Sequence, residues 1–259
     1  MSQESNTATF WEHLDELRTV IIRSLVVVVV AAVVAFLLKE ELFRVVLAPR
    51  TGDFFVYRLL GVEPFALHLM NTGLTEQFMI HVRTALYAGL LLASPYVLYQ
   101  LFRFVSPALY DSERRYAVWI VASAYLMFLV GTALNYLLIF PLTVRFLGTY
   151  QVSADVDNML TIQSYIDTLI GMSLVMGVVF ELPVVCGLMG RMGLLSAGLM
   201  RRYRRHAVVA TLLVSAIITP TTDVFTLTVV ALPIWLLYEA SIGIVALVGR
   251  SKRKDATRR

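Results

Sequence analysis

Long uninterrupted runs of apolar residues restrict what this chain can fold into. Six such runs occur, at about residues 20–38, 78–101, 116–140, 165–189, 207–219 and 224–248. Most of them reach the roughly 20 residues that a helix needs to cross about 30 Å of hydrocarbon. Unpaired backbone groups are too costly in lipid, so a spanning chain forms helices or a closed barrel, and these runs lack the period-two alternation of a barrel. The pattern predicts an all-α polytopic membrane protein with six transmembrane helices.

The composition supports the same class. The chain has 259 residues, of which 58% are hydrophobic and only 15% charged, and its mean hydropathy is +0.75. A chain of this kind would not stay soluble as a globule. The run at 20–38 follows an acidic, amphipathic start rather than a short basic segment, so we expect an anchor and not a cleaved signal peptide. We therefore expect one membrane domain over residues 1–259.

The distribution of basic residues predicts the orientation. When the six spans are drawn alternately across the membrane, 16 of the 22 Lys and Arg residues fall on one side, including both terminal segments. The positive-inside rule assigns that side to the cytosol, so both termini should be cytosolic. The net charge of +4 is then a consequence of topology and does not indicate a nucleic-acid partner.

Two parts of the predicted topology are unusual: one long outer loop and one short span. The outer loop at about residues 39–75 is broken by proline and glycine into amphipathic pieces such as 40–47 and 65–69, which should form a cap on the outer surface. The run at 207–219 is only 13 residues long, and a helix of that length measures about 20 Å. That span is too short for an ordinary bilayer unless its ends are buried or the membrane thins.

An acidic stripe leads into the first span. Apolar side chains recur at helical spacing through residues 10–21, so Asp15 and Glu16 lie with Glu12 on the opposite, polar face. Carboxylates near a helix N-terminus are often explained by the helix dipole alone. That explanation fits Glu12 and Asp15 better than Glu16, because Glu16 lies about two turns into the helix, beside the lipid boundary, where an acid needs a partner.

A second acid lies on the same side of the membrane. Glu113 precedes Arg114 and Arg115 in the turn between the second and third runs, where a helix cap is the simpler reading. Together, however, Glu16 and Glu113 could accept two guanidinium groups through charge-assisted, bidentate hydrogen bonds. Such a site would prefer arginine to lysine.

Several segments resemble the TatC family, the multispanning subunit of the twin-arginine protein translocase. They are residues 13–18, 94–100, 106–115 and 180–183, with further matches at 219–223 and 233–239, in the same order along nearly the whole chain. The resemblance implies a cup-shaped six-helix bundle in the inner membrane of a bacterium. It also implies proton-motive-force-driven export of folded proteins whose signal peptides carry paired arginines.

The resemblance assigns roles to individual residues. It implies that Glu16 and Glu113 bind the paired arginines, that Arg18, Phe104 and Pro95 shape or support this site, and that Glu181 acts inside the membrane. It places Thr219 and Asp223 in contact with the partner subunits, although Asp223 also reads as a helix cap. The implied partners are signal peptides of folded cargo, single-span A-type and B-type subunits, further copies of the complex and membrane lipid.

Glu181 can also be read without the resemblance, and it supports the main alternative. An acid deep in an apolar run costs several kcal/mol unless it is paired or protonated. A proton-coupled transporter of a small cationic solute would use such a midplane site, but transporters of that kind usually show internal repeats, and we find none. The four histidines are scattered and the motifs of metal or serine hydrolases are absent. The sequence therefore predicts neither an enzyme nor a cofactor or metal site, and the single cysteine, Cys186, should serve packing.

Overall fold

The structure, a computed structural model, describes residues 4–59, 61, 65, 67–105, 117–151, 153, 159–219 and 223–257. It is mostly helical. In chain order the elements are α1 Glu4–Leu37, α2 Lys39–Val46, a 3-10 turn Ala48–Arg50, α3 Phe55–Leu59, β1 Leu69–Met70, α4 Glu76–Val105, α5 Ala117–Leu134, a π-helix Asn135–Ile139, α6 Phe140–Thr149, β2 Leu160–Thr161, α7 Ile162–Val179, α8 Leu182–Met192, α9 Ala197–Arg202, α10 Arg204–Ile218 and α11 Val224–Thr257.

Helices occur at all six predicted positions. Within the described residues, five segments are long and apolar enough to cross a membrane, namely Leu14–Leu37, Glu76–Phe104, Val118–Thr149, Ile162–Met192 and Val224–Gly249. The helix at the fifth predicted position, α10, has 15 residues, which corresponds to about 22 Å. The shortness predicted for this helix is therefore confirmed, whereas the count of six membrane crossings stays a prediction.

Two of the five segments are interrupted, and proline lies beside each interruption. The π-helix separates α5 from α6, where Pro141 occupies the first turn. Pro183 occupies the first turn of α8, directly after the turn at Phe180 and Glu181. Proline lacks a backbone N–H and clashes with the preceding turn, so a regular α-helix does not run unchanged through such a site. The sequence runs predict the spans but not these breaks.

The chain divides into two compact units. The first comprises Met1–Arg44 and Phe78–Tyr125, and in it α1 packs antiparallel to α4. Gly89 lies so close to Ala32 that a β-carbon at residue 89 would be 2.5 Å from the Ala32 nitrogen. Further along the same pair, the His81 ring stacks on Phe36 with centroids 3.9 Å apart, and its Nε2 lies 3.1 Å from the Phe36 carbonyl oxygen.

The second unit comprises Val45–Gln77 and Leu126–Arg259. Its core is a buried cluster from the π-helix, α7, the following turn and α11, made of Ile139, Met172, Met176, Phe180, Val230 and Ile234. Helix α5 approaches α7 closely at two glycines: Gly131 of α5 lies beside the Met176 carbonyl, and Gly177 of α7 lies beside Phe128 and Thr132. A smaller cluster of Met200, Ile242 and Val245 packs α9 against α11, with Cys186 beside it, as expected for a packing cysteine.

Three tyrosine hydroxyls form hydrogen bonds with backbone carbonyls in the part of the outer loop that belongs to the second unit. The fully buried Tyr57 hydroxyl lies 3.0 Å from the carbonyl oxygen of Pro49 and 2.9 Å from that of Pro141. Tyr136 donates to the Val45 carbonyl at 2.6 Å and Tyr165 to that of Val46 at 3.1 Å. Buried backbone carbonyls need donors, so these hydroxyls make the close packing of the loop possible.

Only one of the two predicted amphipathic pieces of this loop is helical. Helix α2 coincides with the piece at 40–47. The piece at 65–69 is instead extended where it is described, because its backbone pairs with another segment of the loop: Gly52 donates to the Phe65 carbonyl at 2.6 Å and Leu67 to that of Arg50 at 3.1 Å. It continues into β1, which pairs in parallel with β2 through Leu69–Leu160 and Met70–Thr161.

Candidate functional site

The acidic stripe of α1 ends at a pocket within the first unit. Val20 is buried against the rest of this unit, with 6% of its surface exposed, and Glu16 lies one helical turn before it and is half-buried. The same face of α1 therefore carries an apolar contact and, one turn nearer the N-terminus, a carboxylate. This pocket has a volume of about 270 Å³ and is lined by Asp15, Glu16, Thr19, Val20, Arg23, Gln100 and Arg103.

Helix α4 is shaped by Pro95 before it reaches the pocket. Because Pro95 has no backbone N–H, the carbonyl of Leu91 loses its regular helical donor. The Ser94 hydroxyl takes that place and donates to the Leu91 carbonyl at 2.7 Å. The helix can thus continue past the proline with its backbone satisfied, as the low dielectric of a membrane demands.

Gln100 is the buried polar member of the pocket. Only 4% of its surface is exposed, and its side-chain amide donates to the Tyr96 hydroxyl at 2.6 Å. This bond spans one helical turn and holds the amide against α4. The amide adds hydrogen-bonding capacity beside the charged lining residues, since it carries both donors and an acceptor.

The pocket contains both signs of charge, and they are ordered along α1. Asp15 and Glu16 lie at the end nearer the N-terminus, while Arg23 lies eight residues beyond Asp15, which is about 12 Å along a helix axis. Arg103 comes from the last turn of α4. Two carboxylates and two guanidinium groups line one small volume. Because α4 runs antiparallel to α1, the last turn of α4 with Arg103 lies beside the acidic end, and Arg23 is the basic group at the other end.

The structure brings only some of the predicted residues together. Glu16 lines the pocket, and Pro95 lies two helical turns before Arg103 on α4. Arg18 is exposed and Phe104 is half-buried beside Arg103, and neither is among the described residues that line the pocket. Glu113 lies outside the residues that the structure describes.

Sequence reasoning missed three lining residues: Arg23, Gln100 and Arg103. Arg23 lies near the end of an apolar run, where the sequence alone explains it as a cation that snorkels to the membrane interface. A signal was present, because Gln100 and Arg103 are polar residues three apart in an apolar run and therefore share one face of α4. That spacing identifies a polar face but not which helix it meets.

Glu181 occupies the break between α7 and α8 rather than the interior of a regular helix. It precedes α8, and its backbone carbonyl accepts from Val185 at 2.9 Å. The side chain is half-buried, and its buried Oε1 atom has no hydrogen-bond partner among the described residues. A buried carboxylate oxygen in this state needs water, a proton or a ligand group to satisfy it.

Thr219 and Asp223 lie on the connection between α10 and α11. Asp223 accepts a hydrogen bond from the Thr226 backbone N–H at 2.7 Å through Oδ1. This is N-cap geometry for α11, which confirms the helix cap predicted from the sequence. Thr219 is 7% exposed, and its hydroxyl has no hydrogen-bond partner within the described chain.

The described residues contain no group of three or more His, Cys, Asp or Glu that could hold a metal ion. The side chains that line the pocket are charged or hydrogen-bonding, apart from Val20, and they are suited to binding a charged group.

A family model, individual proteins and a solved structure that resemble this chain all belong to the same family. The model of the family described as "Sec-independent protein translocase protein (TatC)" matches residues 12–233. A Sec-independent protein translocase protein TatC from Koribacter versatilis is 36% identical over 99% of this chain and 93% of its own length. The protein of the same name from Desulforapulum autotrophicum is 34% identical over 98% and 90%. A solved structure described as the twin arginine translocase receptor TatC superimposes with a TM-score of 0.75 at 29% identity, covering 91% of this chain and 99% of the other.

Proposed function

This chain belongs to the TatC family of Sec-independent protein translocase proteins, and on that premise we propose that its α1–α4 pocket receives the paired arginines of signal peptides. It is a component of the Sec-independent translocase. The receptor step is our proposal, and the position of Glu16 carries it: a half-buried carboxylate lines a pocket together with the buried amide of Gln100.

The chemistry of this pocket favours arginine. A guanidinium group presents its donors in a planar fork that matches a carboxylate bidentately, whereas a lysine ammonium is a strongly hydrated point charge. Glu16 binds one guanidinium group, and Glu113 on the following connection binds the second. Asp15 raises the negative charge at the same end of the pocket.

Three further residues support the site in this proposal. Pro95 sets the course of α4 toward Gln100 and Arg103, in line with the Ser94 hydrogen bond that replaces its missing donor. Phe104 offers an apolar surface for the signal beyond the arginines. Arg18 is exposed near the acids and limits how many cations the face attracts.

The proposal also includes the membrane in which the protein lies and its orientation there. Six helices cross the inner membrane of a bacterium as a concave bundle, with both termini in the cytosol, so that the pocket faces newly made cargo. The excess of arginine and lysine on that side supports this orientation. The apolar part of the signal peptide lies along the concave bundle.

The partner subunits bind at the opposite end in this proposal. Thr219 and Asp223 contact the single-span A-type and B-type subunits, and several copies of the complex assemble around the cargo. The unsatisfied Thr219 hydroxyl supports a polar contact there. Glu181, with its unsatisfied Oε1, holds water inside the membrane during transport, and proton coupling through it is testable with Glu181→Gln.

Site-specific photocrosslinking tests the receptor step. A twin-arginine signal peptide carrying a photoreactive residue is presented to membranes containing wild-type protein, Glu16→Gln or Glu113→Gln, beside its twin-lysine form. Losing one charged contact should cost about 1.5–3 kcal/mol, which is roughly 10- to 150-fold in affinity. Partial solvent exposure of Glu16 favours the lower end of that range.

Glu40→Gln is the matched control, because it makes the same chemical change in an exposed residue of α2. We expect the control to crosslink like the wild type. Equal crosslinking of the arginine and lysine peptides, or of Glu16→Gln and Glu40→Gln, would refute the receptor role of this pocket.

A further inference from the structure

The pocket carries positive side chains that the recognition of a cationic peptide does not use. Arg23 and Arg103 line the same volume as Asp15 and Glu16. A ligand that is only cationic pairs with the acids and is repelled by the arginines. A ligand with both signs of charge, in the right order, would satisfy both ends.

We propose that this pocket binds the headgroup of an aminophospholipid, with the ammonium at Asp15 and Glu16 and the phosphate at Arg23. Guanidinium groups bind phosphate oxygens bidentately, and carboxylates accept hydrogen bonds from an ammonium group. Basic pockets beside membrane helices are established sites for lipid headgroups. Here the added acids restrict the choice to headgroups that also carry a hydrogen-bond-donating cation.

The order of the charges matches the way such a lipid lies in a membrane. Its phosphate is attached next to the acyl chains, and its amine lies further toward water. Along α1, Arg23 is on the hydrocarbon side, inside the apolar segment Leu14–Leu37, while Asp15 is at the water-facing end of that segment. Arg23 is exposed at the surface of its unit, so a lipid in the bilayer can reach it without entering the protein.

This geometry makes a discriminating prediction about lipid class. Ethanolamine offers three N–H donors to the carboxylates, whereas the fully methylated choline group offers none. Phosphatidylglycerol provides the phosphate but no cation. The pocket should therefore prefer phosphatidylethanolamine to both, which a general attraction of arginine for anionic lipid would not produce.

The lipid site and the proposed signal-peptide site share one residue, Glu16. If Glu16 also binds a signal arginine, the lipid and the signal peptide compete for it, and the lipid occupies the pocket while no cargo is present. That competition rests on the proposed function. Lipid binding itself does not, because it uses Asp15 and Arg23 as well.

The test uses the full chain in detergent with an equimolar mixture of phosphatidylethanolamine, phosphatidylcholine and phosphatidylglycerol. Native mass spectrometry counts the lipids retained. We expect phosphatidylethanolamine to be retained about tenfold more than either competitor, as for the loss of one charged contact. Asp15→Asn should abolish this preference and Arg23→Gln should lower the retention of all three lipids, while Arg201→Gln, at an exposed arginine of α9, should change neither. Excess soluble phosphoethanolamine should displace the lipid.

Equal retention of phosphatidylethanolamine and phosphatidylcholine would overturn the proposal, and so would an Arg23→Gln protein that retains lipid like the wild type. A preference for phosphatidylglycerol would replace it with a simple anionic-lipid site. Failure of phosphoethanolamine to displace the lipid would overturn the headgroup assignment. The same preparations are tested for signal-peptide crosslinking, so wild-type protein that crosslinks the signal peptide but shows no lipid preference refutes only the lipid site. Retained lipid without crosslinking refutes only the receptor step.

Discussion

Gly89→Ala tests the close approach of α1 and α4 on which the pocket depends. A β-carbon at residue 89 would lie 2.5 Å from the nitrogen, 2.7 Å from Cα and 2.7 Å from Cβ of Ala32, where ordinary contacts begin at 3.4 Å. All three atoms belong to the backbone or its first carbon, so no side-chain rotation relieves the clash. The helices must separate here by about 0.7–0.9 Å.

The expected loss of stability follows from two opposing terms. Overpacking of this kind costs about 1–3 kcal/mol. Alanine in a helix gains back up to about 1 kcal/mol relative to glycine. We therefore expect Gly89→Ala to lower the free energy of unfolding by about 1–2 kcal/mol and to weaken signal-peptide crosslinking, because Val20 and Gln100 lie on the same helix pair.

Unfolding in detergent by titration with SDS, followed by tryptophan fluorescence, measures the first effect. Gly243→Ala is the matched control, because a β-carbon at residue 243 of α11 meets nothing within 4 Å, and it should be neutral or slightly stabilising. If the two variants unfold at the same SDS fraction, Gly89 does not govern the packing of α1 on α4 and the reasoning fails.

Three further predictions concern the second unit. Tyr57→Phe removes the one hydroxyl proton that the buried carbonyls of Pro49 and Pro141 share and should cost about 1–2 kcal/mol in detergent unfolding, whereas Tyr150→Phe, on an exposed ring, should cost little. Burial raises the pKa of the Tyr57 hydroxyl above its ordinary value of 10.0, so the unfolded chain loses this proton first. Stability should then fall above pH 10 by up to about 1.4 kcal/mol per pH unit, a slope that Tyr57→Phe should reduce and that unfolding between pH 8 and 11 would measure. Asp223→Ala should destabilise α11 by about 0.5–2 kcal/mol through loss of its cap while Asp223→Asn keeps most of it, and equal stability of the two variants would contradict the capping role.

The candidate site shows how far sequence reasoning reaches. Glu16 could be singled out because an acid at a lipid boundary needs a partner, and this argument requires no contact map. Its neighbours Gln100 and Arg103 lie more than 80 residues away along the chain, so their proximity depends on how α1 and α4 are aligned. That alignment follows from the close approach of Gly89 to Ala32, which the hydropathy pattern does not encode.

The outer loop likewise contains one segment that local sequence predicts and one that it does not. Amphipathic spacing correctly predicts the helix at 40–47, since a short helix on a surface is decided by local periodicity. The piece at 65–69 has suitable spacing too, but its backbone pairs with residues 50–52 and then with β2. Hydrogen bonds to distant segments override a weak local preference there.

The sequence by itself determined the class of this protein, the positions of its apolar helices, the shortness of α10 and its family, because hydrocarbon imposes length and polarity on every spanning segment independently of its neighbours. The tertiary structure decided where the helices break, which polar side chains share a pocket and which hydroxyls satisfy the carbonyls of the outer loop. Those features depend on distances between segments far apart in the chain, and in a uniformly apolar solvent they are set by close packing and hydrogen bonds rather than by hydrophobicity.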